Sequence, residues 1–104
     1  MIEGKTKSGF AFSVDERRLN SKRFAIMLAK LTKYSKSADP DAGMLANEAE
    51  NEMEEFILGP EQQEALIAHC DKKAGGYASI EDVTDEVSEI IGICNEKSVA
   101  VKNS

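Results

Sequence analysis

Residues 56–94 read FILGPEQQEALIAHCDKKAGGYASIEDVTDEVSEIIGIC. Gly59 and Pro60 end one helix and open the next, because glycine terminates a helix at little steric cost and a first-turn proline forfeits no hydrogen bond. Glu61 and Glu64 then sit where acids complement the helix dipole. Gly75 and Gly76 supply the positive φ of a second stop. Ser79, with Asp82 three residues on, comes close to a capping box. Beyond it Ile80, Val83, Val87, Ile90, Ile91 and Cys94 step along one helical face, the strongest amphipathic pattern in the chain. The spacing predicts helices over about 60–73 and 79–94.

Upstream, Leu45, Ala49, Met53, Phe56 and Ile57 form the apolar stripe of a helix over about 41–58, whose other positions carry Glu48, Glu50, Glu52, Glu54 and Glu55. The loop SKSADPDAG, residues 35–43, precedes it, and Pro40 blocks helical continuation through Asp39. Asn20 or Ser21 can cap an earlier helix over about 20–34, in which Phe24, Met27, Leu28 and Leu31 recur at helical spacing. At the N-terminus Phe10, Phe12 and Val14 alternate with Ala11 and Ser13, the period of a half-buried strand. Ile2–Thr6 is its expected partner, turned by Lys7, Ser8 and Gly9.

A lone two-stranded hairpin is marginal in water, so it should lie against the helices or offer its open edge to another chain. The expected fold is α+β, predominantly α, an N-terminal β-hairpin over residues 1–15 followed by about four helices. The chain should form one domain over residues 1–96, with 97–104 a flexible tail.

At 104 residues, 41% apolar and 31% charged, the composition is that of a small globular protein with a thin core. No apolar run approaches the ~20 residues that span a bilayer, and MIEGKTKSG lacks the apolar stretch of a signal peptide; a cytoplasmic setting is expected. Cys70 and Cys94 fall within helical patterns, where a thiol packs as a small hydrophobe. The net charge of −6 conceals a split: residues 1–36 hold nine Lys or Arg against three acids, and residues 37–104 hold four against sixteen. Such asymmetry can steer a partner or draw copies of the chain together into a homo-oligomer, or it reflects two solvated faces of opposite sign.

The chemical motifs are incomplete. Asp71 to Asp82 has the length of an EF-hand loop, with Asp first, Gly sixth and an acid last, but Lys73 and Gly75 occupy the third and fifth positions where oxygen ligands belong. His69 and Cys70 are adjacent, so a helix turns them about 100° apart, and no zinc site or Cys–His pair is expected. Neighbouring glutamates such as Glu54 and Glu55 would need burial to serve as acid and base, and a solvated acidic face is the simpler reading. Arg17, Arg18, Lys22, Arg23, Lys30, Lys33 and Lys36 could bind phosphate, but the acidic remainder would repel a duplex. No metal, no cofactor and no enzymatic activity are therefore expected.

Taken in order, MIEGKTKSGFAFSVDERRLN, LGPEQQEALIAHC and GGYASIEDVTDEVSEII resemble the tail assembly chaperones of long-tailed bacteriophages and prophages. The resemblance rests on Phe10, Phe12 and Asp15, then Leu58, Gly59, Glu61 and Leu66, then Gly75 and Gly76, then Val83 to Ile91. The basic stretch ERRLNSKRF and the loop around Pro40 depart from it. The family implies a small, mainly helical, non-enzymatic protein that binds the tape-measure protein in the host bacterial cytoplasm. It keeps that client soluble until tail-tube subunits polymerise, and is not expected in the mature virion.

For such a role the candidate contacts are Leu45, Met53, Phe56 and Ile57 with Val83, Val87, Ile90 and Ile91, two apolar stripes able to receive an amphipathic client helix, although the same residues are also the natural core. The competing expectations are a degenerate EF-hand-like interaction module and a small nucleic-acid-binding regulator.

Overall fold

The computed structural model describes residues 1–103, with side chains through Lys97. Its elements are β1 (Ile2–Lys5), β2 (Ala11–Val14), α1 (Glu16–Leu19), α2 (Lys22–Ser35), α3 (Ala42–Leu58), α4 (Pro60–Ala74) and α5 (Ile80–Asn103). The architecture is α+β and predominantly helical, with the antiparallel hairpin at the N-terminus.

In the hairpin Ile2 faces Val14 and Gly4 faces Phe12. The alternation of β2 places Phe12 and Val14 inward and leaves Ala11 exposed, as period two requires. The turn is closed by Thr6 N–H donating to Phe10 O at 2.9 Å and Gly9 N–H donating to Thr6 O at 3.0 Å. Gly9 has φ 101°, a conformation that a side chain would strain.

The hairpin lies against the helices. Phe10, Phe12, Val14 and Ile2 join Met53, Ile57 and Leu58 of α3, Leu66 and Cys70 of α4, and Val87, Ile90 and Cys94 of α5 in one core. Leu66, Ile90 and Cys94 are completely enclosed there. The two stops flanking α4 behave as their residues dictate: Gly59 has φ 81° with Pro60 opening α4, and Gly75, at φ 75°, is the left-handed cap that closes it.

Two boundaries differ from expectation. A fifth helical segment, α1, precedes the helix expected at 20–34, because Asp15 accepts a hydrogen bond from the Arg17 amide and caps a short turn. Asn20 closes that turn, leaving Ser21 as the cap of α2 through its bond from Phe24 N–H at 3.1 Å. At the other end α5 continues past the expected stop near 94. No glycine or proline follows Gly92, and Asn95, the one stop signal after Cys94, is too weak to end the helix. The flexible tail expected at 97–104 is helical backbone as far as Asn103, while Ser104 and the side chains beyond Lys97 lie outside the described residues.

α2 contributes little to the core. Only Phe24 is buried in it, with Met27 and Leu31 half-buried. It packs chiefly along α3, giving a molecule of 47 × 35 × 19 Å with a radius of gyration of 14.3 Å, above the ~13 Å of a compact chain of this length.

Candidate functional site

The eight candidate contact residues divide. Met53, Ile57, Val87 and Ile90 are buried at 6%, 2%, 3% and 0% exposure, and Leu45, Phe56, Val83 and Ile91 are half-buried. The stripes of α3 and α5 turn chiefly toward the hairpin and α4, and of the eight residues Val83 lines a cleft left between α3 and α5. The fold closes on these side chains because they are the most apolar surface the chain has, and burying them is worth ~25 cal/mol per Å². Phe56 is further covered by Arg18, whose guanidinium lies 5.8 Å from the ring centroid and donates to Phe56 O at 2.6 Å.

What remains open is a different set. Ile26 and Leu28 on α2, Met44 on α3, Tyr77 in the α4–α5 turn and Ile80 at the start of α5 are exposed, Ile26 at 56% and Met44 at 67%. On α2 the positions 22, 26, 30 and 33 share one face, which places Ile26 among Lys22, Lys30 and Lys33. For Ile26 the signal was present in the sequence, since it falls off the expected Phe24–Met27–Leu28–Leu31 stripe; Leu28, expected on that stripe, is instead exposed. Of the expected cationic cluster, Arg17 is paired with Asp15 at 2.8 Å. Lys22, Arg23, Lys30, Lys33 and Lys36 are exposed, and the ion pairs among the described residues are formed by other groups.

The loop with the outline of an EF-hand uses its acids as caps. Asp71 accepts from Ala78 N–H at 2.7 Å, and Ser79 and Asp82 bond reciprocally, each amide to the other's side chain, at 3.1 Å. Both thiols are free and buried. Burial pushes the Cys70 and Cys94 thiols up, away from the reactive thiolate.

One polar cluster was invisible to sequence. Ser8, at the hairpin turn, bonds His69 Nε2 at 2.9 Å and donates its hydroxyl hydrogen to Glu86. Lys7 N–H adds a bond to Glu89 at 2.6 Å. A serine, a histidine and an acid in contact invite comparison with a nucleophilic triad, but the carboxylate bonds the serine and not the imidazole, so nothing orients His69 as the base. The adjoining cavity of about 310 Å³ is lined by Asp82, Asp85, Glu86 and Glu89 against the single Lys73. Such a field opposes the negative charge of an acyl-transfer transition state. The cluster is a clasp joining the hairpin turn to α4 and α5.

A second polar feature lies between α3 and α4. Glu54 is only 6% exposed, and its closest partner is Gln63 Nε2 at 3.4 Å, an amide that bonds Asn51 Oδ1 better, at 2.8 Å. Loss of water raises its pKa; the Gln63 bond acts against that rise, and the charge of Glu50 adds to it.

Comparison with known proteins found no matching family model, no similar curated protein and no similar solved structure.

Proposed function

We propose that this chain is a non-enzymatic tail assembly chaperone that binds a phage tape-measure protein in the host cytoplasm and holds it soluble before tail-tube polymerisation. The observation that carries this reading is the order of its segments: an F-x-F hairpin closed by Asp15, the LGPEQQEAL segment, a glycine stop, and an acid-rich amphipathic helix. The exposed apolar side chains support it. Ile26, Leu28 and Met44 lie on α2 and α3, away from the hairpin core, and each offers apolar surface to a client helix with an apolar stripe. Methionine suits an irregular client surface. These residues replace Met53, Ile57, Val87 and Ile90 as the contact set, since a side chain enclosed by its own fold meets no partner.

Co-expression tests the reading. The reading expects a large helical protein encoded directly downstream of this chain's gene, and that protein should be recovered soluble only when the chain is present. Equal solubility without it rejects the function.

A further inference from the structure

Beside Glu54 a cleft of about 210 Å³ opens to solvent, which α3 lines with Glu50, Glu54 and two asparagines, and α4, the following turn and α5 line with Ile67, Ala78, Ile80, Val83 and a serine. It is smaller than the ~300–1,000 Å³ of pockets for drug-sized molecules, a size suited to one side chain rather than to a cofactor. The side supplied by α4, the turn and α5 is largely aliphatic, the side supplied by α3 is polar, and the ionisable groups of the lining are carboxylates.

We infer that this cleft is the receptor for a lysine or arginine side chain projecting from an amphipathic helix of the client, with Glu54 as the counter-ion. This rests on the reading of the chain as a binder of a helical client. A carboxylate out of water must be neutralised by its proton or by a cation, and the described ion pairs leave Glu54 without one. Its weak bond from Gln63 leaves acceptor capacity free. Glu50 is held by the hydroxyl of Thr84 and adds to the negative potential. The α5 N-terminus, whose dipole opposes a cation, is already capped by the Ser79–Asp82 pair. The aliphatic side of the cleft suits the methylene stem of a long basic side chain, whose packing and charge act together. Ile80, 60% exposed, extends that apolar surface to solvent.

The test uses the full chain and a fluorescent 18-residue amphipathic peptide of leucine and lysine, with its leucine–glutamine counterpart as control, read by anisotropy. The lysine peptide should bind saturably and at least tenfold more tightly than the glutamine peptide. Glu54→Gln should weaken it about tenfold, whereas Glu48→Gln, which removes the same charge from the exposed face of α3, should change it less than twofold. Ile80→Lys, placing a cation beside the cleft at an exposed position, should weaken it at least tenfold without lowering the melting temperature by more than a few degrees. Absence of saturable binding, or equal losses in Glu54→Gln and Glu48→Gln, overturns the proposal. If the client's solubility still depends on the chain after such a result, the chaperone reading survives and this receptor alone is rejected.

Discussion

Gln62 grips both backbone polar groups of Ser13. Its Oε1 accepts from Ser13 N–H at 2.7 Å, and its Nε2 donates to Ser13 O at 2.9 Å and also to Leu58 O at 2.9 Å. One amide side chain thus stands in for a neighbouring strand on the outer edge of β2 and satisfies a carbonyl at the end of α3. An open edge is where a foreign strand adds itself. On the other strand, Lys97 Nζ reaches Glu3 O.

Gln62→Ala should therefore cost about 1–3 kcal/mol, the range for leaving partly buried backbone groups unmade. The exposed edge should also promote association at high concentration. Chemical denaturation and light scattering read the two effects. Unchanged stability would show that water replaces the amide without loss.

Ser8→Ala removes the hydroxyl that links Glu86 and His69, leaving a carboxylate with one oxygen already enclosed and without a partner. A loss of about 1–3 kcal/mol is expected. Hydrogen exchange should speed up first at the hairpin turn, because the clasp ties that turn to α4 and α5. Protection lost uniformly across the chain would contradict this.

Glu54 makes the fold prefer low pH locally. Its folded pKa lies above the ordinary value of 4.5, first because burial disfavours the charged form. Between those two values the native state binds more protons than the unfolded chain, so its contribution to stability falls as pH rises through that window. Glu54→Gln should then be neutral or stabilising at pH 7, by on the order of 1 kcal/mol, with a smaller advantage at pH 4. Melting curves of both proteins across that range check the sign; a variant less stable at pH 7 than at pH 4 relative to wild type would reverse it.

Ile90 and Ile26 separate folding from binding. Ile90 is fully enclosed, and Ile26 is 56% exposed. Ile90→Ala should cost about 2–5 kcal/mol through the cavity it leaves. Ile26→Ala should stay within ~0.5 kcal/mol of wild type while reducing recovery of soluble client in co-expression. Loss of stability in Ile26→Ala would place that residue in packing and remove it from the proposed contact surface.

The hairpin strands and their turn, the stops at Gly59 and Gly75 and most of the inward face of α5 were legible in the sequence, because each depends on residues within about one helical turn or across one tight turn; Ile80, expected on that face, is exposed. Glycine and proline fix φ where they stand, Ser79 and Asp82 cap each other three residues apart, and Phe12 and Val14 follow the pleat. The missed α1 was also local: Asp15 is an N-cap, but four residues carry too short a periodicity to register. The end of α5 is not legible because the apolar pattern decays after Cys94 while neither glycine nor proline is there to stop the helix.

The polar contacts that organise the surface had no local signature. Gln62 and Ser13 are separated by 49 residues, Ser8 and His69 by 61, and Ser8 and Glu86 by 78. The same holds for the apolar stripes of α3 and α5. Amphipathic spacing states which side chains seek an apolar environment, but it is indifferent to whether this chain or another supplies it. The sequence by itself determined where the helices and the hairpin begin and turn, through caps, glycines and periodicity acting over a few bonds. Only the tertiary structure decided that Met53, Ile57, Val87 and Ile90 fill the core while Ile26 and Met44 stay outside, because burial depends on which faces meet when distant segments pack.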